Sequence, residues 1–423
     1  MSGAGQRSDI AIVGGGYAGL ALAAALAQAS DGGLKIAVFD RGDFGRVDFN
    51  RSGAAHSDNR ATAVAAGSRW LLEAIGVWPE LAAYAQPVLA IDITDSALDD
   101  AIRPARLSYD NMLADGTPGT VIIENARLIA ALQAVVRTAR GVTLHPAKSV
   151  TAVDVTSGCA RLTLDGGVTY DTALVVAADG ARSAIREKAG IKTVGWTYPQ
   201  TGIVTTVALD TPHEGRAVQH FLPAGPFAVL PLTGNRACIT WTEGEHEARR
   251  ILSLDDVAFL AETARRFGYR LGEITLAAGV GPTRQSWPLD MQLARALIAN
   301  RVALIGDAAH SVHPIAGQGL NLGLRDVAAL AEVLIDGARL GLDLGQATVL
   351  ERYQSWRRLD SAVSAATFDG LNRLFSNDAT ILRTLRGVGL GLVDRMPLLK
   401  QFFVNEAAGL TGDLPKLLKQ QPI

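Results

Sequence analysis

Gly14, Gly16 and Gly19 stand at the Gly-x-Gly-x-x-Gly spacing, directly behind an apolar run over residues 10–13. In that pattern the first glycine permits a tight turn and the second lets backbone approach a pyrophosphate. The third lets the following helix pack closely on the strand. Asp40 lies 21 residues beyond Gly19, where a carboxylate accepts hydrogen bonds from both ribose hydroxyls of an unphosphorylated adenosine. The pair of features favours FAD or NAD over NADP. Arg41 beside it either reaches adenine or phosphate, or is a solvated charge.

A second constellation lies almost three hundred residues later. Residues 302–305 read as a buried strand that delivers Gly306 and Asp307 to the carboxyl edge of a parallel sheet, where α/β folds hold ligands. Asp307 there suits the hydroxyls of a ribityl chain. The run His313-Pro314-Ile315-Ala316-Gly317-Gln318-Gly319-Leu320-Asn321 is a glycine-rich turn into a helix. Free N–H groups at such a helix start suit an anion, and reduced flavin is one. Gly317, Gln318, Gly319, Leu320 and Asn321 are therefore candidate cofactor contacts.

His310 and His313 lie closest to this turn, and an imidazole there either transfers a proton or, before Pro314, only shapes the chain. His313 and Pro314 are candidates for a catalytic role. The seven histidines include no H-E-x-x-H spacing, and the two cysteines, Cys159 and Cys238, form no C-x-x-C pair. No metal site is expected.

These motifs need elements to position them. Residues 9–13, the glycine turn, residues 18–29 and residues 35–40 read as a βαβ unit. Residues 60–78 carry Val64, Leu71, Leu72 and Ile75 at helical spacing and end on Gly76. Strand-like runs follow at 88–94 and 121–123, a helix at 126–139, and strands at 150–155, 160–164 and 172–177. Runs at 203–209, 218–222, 228–232 and 237–241, broken by Pro and Gly, read as consecutive strands of an antiparallel substrate sheet. A helix near 255–267 and a strand near 283–288 precede the second constellation. Past Leu322 the pattern is helical, and the leucine-rich stretch from Met396, with Leu414, Leu417 and Leu418, reads as a core-facing helix rather than an interfacial one.

The expected division is a discontinuous dinucleotide-binding domain over 1–82, 118–190 and 284–345, a β-sheet substrate domain over 83–117 and 191–283, and a helical region over 346–423. A chain of 423 residues suits two or three such units. With 48% hydrophobic and 19% charged residues it is compact rather than disordered. Forty Lys plus Arg against 42 Asp plus Glu leave no basic face for nucleic acid. The cysteine count fits a reducing compartment, with the cytoplasm as default. One basic residue precedes Asp9, so no signal peptide is expected, and the glycines within 10–29 argue against a transmembrane helix.

The run from His313 to Asp326, HPIAGQGLNLGLRD, resembles the signature of the UbiH-type ubiquinone-biosynthesis hydroxylases, a branch of the FAD-dependent aromatic monooxygenases. Supporting segments occur in the family's order: the glycine motif, Arg60 with Thr62 and Gly67-Ser68, Glu124-Asn125 with Arg127-Leu128, Asp179-Gly180 with Ser183 and Arg186, Trp196-x-Tyr198-x-Gln200, and Gly225-Pro226 with Leu230-Pro231-Leu232. The resemblance spans nearly the whole chain. One departure is Ala237-Cys238-Ile239-Thr240, where relatives often carry a tryptophan-rich strand.

The resemblance implies an α/β fold, α+β overall, of the p-hydroxybenzoate-hydroxylase type. Its parts are a Rossmann-like FAD-binding domain, an antiparallel β-sheet substrate domain and a helical C-terminal region. It makes Arg60 and Arg127 candidate FAD contacts, since guanidinium forks suit phosphate and flavin oxygens. Either could instead form a surface ion pair. It places Asp179 near the pyrophosphate, the alternative being a plain Asp-Gly turn.

The implied reaction passes one oxygen atom of O2, through a flavin C4a-hydroperoxide, to the ring of a polyprenylated phenol or quinol precursor of ubiquinone. Electrons come from NAD(P)H or a redox protein. A ubiquinone-biosynthesis enzyme complex and a peripheral membrane contact are implied partners. Three alternatives stand: a flavin monooxygenase of a soluble aromatic or secondary metabolite, a non-catalytic flavin-binding subunit, and a nicotinamide dehydrogenase, which has no use for Gly306-Asp307. The ring position is open.

Overall fold

The computed structural model describes residues 6–44, 58, 60–95, 98, 105–268, 272–277, 283–312, 317–375, 404–405 and 407–423. Its first sheet is built around Gln6–Val13. Thr169–Ala177 runs parallel on one side and Ile36–Phe39 parallel on the other. Val142–His145 extends the sheet beyond Ile36–Phe39, and Val302–Leu304 extends it beyond Thr169–Ala177. Ile10, Ala11 and Ile12 are wholly buried, as a parallel strand covered on both faces must be. Helices Tyr17–Ala29 and Gln318–Arg339 pack against each other and share that sheet's core of small and branched residues. The strands end together on one edge, where Val13 pairs with both Phe39 and Ala177.

The second sheet is mostly antiparallel. Thr193–Leu209 pairs with Arg236–Gly244, which pairs with Gly225–Leu232, then Arg216–Leu222, Ala90–Asp95 and Leu107–Asp110. Alternate residues face opposite ways. Ile203, Val207, Phe227, Val229, Ile239 and Trp241 pack beneath helices Glu245–Leu252 and Asp256–Phe267. On the other face Val204, Ala217 and Cys238 meet Ala61, Val88 and Ile122 of the first half of the chain.

Two sequence expectations are corrected here. Residues 60–78 do not form one helix: Ala61–Ala65 is a strand, paired antiparallel with Thr120–Glu124, and only then does helix Ala66–Ala74 begin. Pairing with a distant strand overrides a helical hydrophobic spacing. The substrate sheet also does not end at 284. Arg284–Ala294 runs along Thr193–Leu209 over almost its full length, and the chain returns to the parallel sheet only afterwards.

The last residues fold back on the core. Ala408 accepts a hydrogen bond from Gly67 N at 3.1 Å, Trp356 Nε1 donates to the Asp413 carbonyl at 2.8 Å, and Leu414, Leu417 and Leu418 are buried. Those three leucines face the core as expected, while Leu398, Leu399, Phe402 and Phe403 lie outside the described residues. Among the described residues no helix is long and apolar enough to cross a membrane.

Candidate active site

The first glycine motif folds as its spacing dictates. Strand Gln6–Val13 ends at the glycines and helix Tyr17–Ala29 starts at once behind them. Gly14 has φ +117°, and a Cβ there would drive into the backbone of Ala178. A Cβ on Gly19 would strike the Gly14 carbonyl. Both positions require glycine. The helix start has no side-chain cap and no acidic residue in its first turn, so its amides and positive dipole end are left for an anion. From the neighbouring strand Asp40 braces the turn: Oδ2 accepts from Gly15 N at 2.5 Å and Oδ1 from Gly42 N at 2.6 Å. Arg41 beside it is exposed.

The second constellation lies against the first. Tyr17 Oη donates to Asp307 Oδ1 at 3.4 Å, across 290 residues of sequence. Burial lifts the Asp307 carboxyl above its ordinary range, against the lowering fields of His310 and Arg60. Burial, and then the Asp307 charge, hold the Tyr17 phenol well above its ordinary value. An acid kept from water in this way favours hydroxyl groups that donate to it.

Behind Gly306-Asp307 stands a buried acid to which the sequence reading gave no role. Asp326 is fully buried; its Oδ2 accepts from Gly306 N at 2.9 Å and pairs with His310 Nε2 at 2.7 Å, and its Oδ1 accepts from Arg357 Nε at 2.8 Å. Burial opposes its charge, but His310 and Arg357 outweigh burial and hold the carboxyl below its usual range. Burial likewise opposes the His310 imidazolium, and Asp326 outweighs it, holding the ring above its ordinary 6.5. Arg357 also pairs with Asp360, which Arg325 Nη1 reaches at 3.2 Å. His310 is therefore part of the scaffold of the Gly306 turn. His313 and Pro314 lie outside the described residues.

Asn321 clamps the turn to the rest of the site. Its Oδ1 accepts from Ala65 N at 3.0 Å and its Nδ2 donates to the Ala63 carbonyl at 2.9 Å, as an added strand would. Gly317 stands at φ +63° before helix Gln318–Arg339, whose start has no side-chain cap. Gln318 and Gly319 are half-buried, and Leu320 belongs to the core. Ala61 and Ala63 of the clamped strand pack on the substrate sheet. The flavin motif is thus mechanically continuous with that sheet.

The other sequence candidates occupy defined positions. Asp179 follows strand Thr169–Ala177; it accepts from Ser183 Oγ and, at 3.2 Å, from Ile185 N. Arg186 is buried and donates to the carbonyls of Ala308 and Ala181, each at 2.9 Å, tying the Asp-Gly turn to the Gly306 turn. Arg60 pairs with Asp58 at 2.7 Å and lies over the Trp287 ring at 4.9 Å, so it bridges toward the substrate sheet. Arg127 stacks on Tyr84 at 4.0 Å. No cluster of metal-ligating side chains occurs among the described residues.

The family model described as an FAD binding domain matches residues 7–365. The chain is 41% identical over 421 residues to the ubiquinone hydroxylase UbiL of Rhodospirillum rubrum, covering 98% of this chain and 94% of that protein. The chain belongs to the FAD-dependent ubiquinone hydroxylases. It is 33% identical to the 3-demethoxyubiquinol 3-hydroxylase of Escherichia coli, over 96% of this chain and 99% of that one. Its fold is that of the p-nitrophenol 4-monooxygenase PnpA of Pseudomonas putida, with a TM-score of 0.78 at 21% identity over 96% of this chain and 99% of the other.

The residues of this hydroxylase fit FAD. The helices from Tyr17 and Gln318 start without a side-chain cap, and a Cβ added at Gly16, Gly180 or Gly319 would meet no protein atom within 4 Å. Backbone that must lie open to a pyrophosphate and a flavin ring has this character. Tyr17 and the His310–Asp326–Arg357 group were missed in the sequence. The pattern gave no signal for Asp326, which lies on the side of its helix opposite the stripe of Leu324, Val327 and Ala328, where a charge reads as solvated.

Proposed function

We propose that the enzyme hydroxylates the aromatic ring of a polyprenylated phenol in ubiquinone biosynthesis, with O2 as co-substrate and electrons from NAD(P)H or a redox protein. The observation that carries this reading is the clamp of Asn321 on Ala61–Ala65, a strand whose Ala61 and Ala63 pack on the substrate sheet. FAD supplies the oxygen-activating chemistry when bound. The chain's own part is to hold it and keep water out. In the proposed arrangement Gly14, Gly16, Gly19 and Asp179 hold the pyrophosphate, Asp40 and Arg41 the adenosine, and Gly306 and Asp307 the ribityl chain. Gly317 to Asn321 face the ring, and Arg60 and Arg127 supply further cationic contacts.

The proposed division keeps the FAD domain in sequence sections 1–82 and 118–190 and a third that begins after Ala294. The remaining sheet and the tail beyond 345 complete the chain. A polyprenyl chain is driven from water by its apolar area, so the proposal includes peripheral contact with a membrane or with other enzymes of the pathway. Similarity over nearly the full length to UbiL supports the substrate class.

The test incubates purified enzyme with FAD, NADH or NADPH, O2 and a short-chain prenylphenol. The expected result is a product heavier by one oxygen atom, formed in step with nicotinamide oxidation. Deleting the gene and identifying the accumulated quinone precursor by mass spectrometry fixes the ring position. Hydroxylation confined to soluble aromatics, or normal ubiquinone after deletion, would sink the proposal.

A further inference from the structure

The centre of the second sheet is buried on one face and partly open on the other. Phe227, Val229, Ile239 and Trp241 are buried beneath the two helices, whereas Ala228, Leu230 and Thr240, which alternate with them, keep partial exposure. Gln219 shares the open face. Its neighbours along the strand, Val218 and Leu222, belong to the core under the helices, while Ala217, two residues before it, packs with Ala61 and Ile122. Across the sheet Gln219 pairs with Ala228, Ala228 with Thr240, and Thr240 with Val204. On its other side Gln219 pairs with Ile93 of Ala90–Asp95.

The amide Nε2 of Gln219 is buried and has no hydrogen-bond partner among the described residues. Buried polar groups in folded proteins are nearly always paired, and one left unpaired costs stability. The open face is also the face toward the clamped strand of the flavin motif. A primary amide offers a donor and an acceptor on one planar group, so it pairs with a phenolic hydroxyl or with an ether oxygen on a ring.

We infer that Gln219 is a specificity-determining residue whose amide hydrogen-bonds an oxygen substituent of the substrate ring and so fixes which ring edge meets the flavin. The inference rests on the function proposed above and adds to it a recognised group. An aromatic ring that carries an oxygen is accepted, and one without it leaves the buried amide unpaired. The discrimination is the kind that polar sites achieve and apolar pockets do not.

The test compares Gln219→Leu and Gln219→Met with the unaltered holoenzyme, using a matched pair of ligands: a short-chain prenylphenol and the prenylbenzene lacking its hydroxyl. Binding is followed by the perturbation of flavin absorbance, and turnover by KM and kcat. The unaltered enzyme is expected to prefer the phenol. Both variants should weaken the phenol by about tenfold or more, the worth of one hydrogen bond to a buried group, and leave the prenylbenzene unchanged or tighter. The regiochemistry of the hydroxylated product should broaden. FAD affinity and thermal stability should be unchanged or raised, since an unpaired buried amide has been removed.

Equal weakening of both ligands, or a fall in thermal stability, would make Gln219 a structural residue and overturn the inference. An unchanged phenol affinity does the same. If the unaltered enzyme binds neither ligand, the proposed function itself fails and this inference falls with it; that outcome is read from the unaltered protein alone.

Discussion

Replacing Asp326 by Asn tests whether the buried acid holds the Gly306 turn. The carboxylate serves three donors, from Gly306 N, His310 and Arg357, with no exposure to water. Breaking a buried ion pair from one side costs about 3–5 kcal/mol, because the partner is left charged and unpaired. Two features place this case near the lower end. Arg357 keeps Asp360, and His310 can shed its proton. An expected loss of about 3 kcal/mol is still a large part of the ~5–15 kcal/mol that holds a domain together.

The pH dependence carries a sign. In the native protein His310 is raised above 6.5, so its contribution is full below that value and is lost as pH rises through the folded value. With Asn at 326 burial and the Arg357 charge lower the ring, against the smaller raising field of Asp307, and charging it below 6.5 then destabilises the fold. The deficit of the variant should therefore be larger at pH 6 than at pH 9. Urea unfolding of the FAD-free protein, followed by circular dichroism at both pH values, measures it. FAD affinity, read by fluorescence quenching, should fall because the turn carrying Asp307 is released. A deficit under about 1 kcal/mol, the size of one ordinary hydrogen bond, or one independent of pH, would refute the reasoning.

Gly19→Ala should yield protein with little bound flavin, since its Cβ collides with the Gly14 carbonyl; the ratio of flavin to protein absorbance after purification reports this, and a normal ratio contradicts the helix–strand packing described. Asn321→Ala leaves Ala65 N and Ala63 O without their partners and should cost about 1–3 kcal/mol per buried group, visible as a lower thermal midpoint with FAD present. Tyr17→Phe removes only a long hydrogen bond of 3.4 Å, so FAD affinity should change by less than about threefold, below the worth of an ordinary bond. Burial pushes the Cys238 thiol up to about 12, so a thiol reagent at pH 8 should modify Cys159 alone in the native protein; a second titrating thiol before unfolding would contradict the buried sheet.

Local pattern sufficed for the parts of the molecule that are locally built. Gly14, Gly16 and Gly19 carry their strand–turn–helix in consecutive residues, and the strand Val302–Leu304 before Gly306 and the helix from Gln318 stand where the second motif put them. The alternating runs from 203 to 241 likewise appear as strands within Thr193–Leu209, Arg216–Leu222, Gly225–Leu232 and Arg236–Gly244. Period-2 alternation and glycine spacing are short-range signals, and each survives folding because the surrounding core agrees with it.

The tertiary structure decided the rest. Ala61–Ala65 has a helical neighbour and a helical spacing, yet it is a strand because Thr120–Glu124 and Asn321 satisfy its backbone. Arg284–Ala294 joins the substrate sheet because Thr193–Leu209 is long enough to receive it. Arg186 serves carbonyls rather than open solvent, Asp326 finds His310 and Arg357, and Gln219 faces the open side of its sheet. The sequence by itself marked two glycine-rich segments as candidates for one dinucleotide site. What joins them is a set of buried polar contacts up to 290 residues apart, and a contact closed across such a loop leaves no periodic trace in the chain on either side of it.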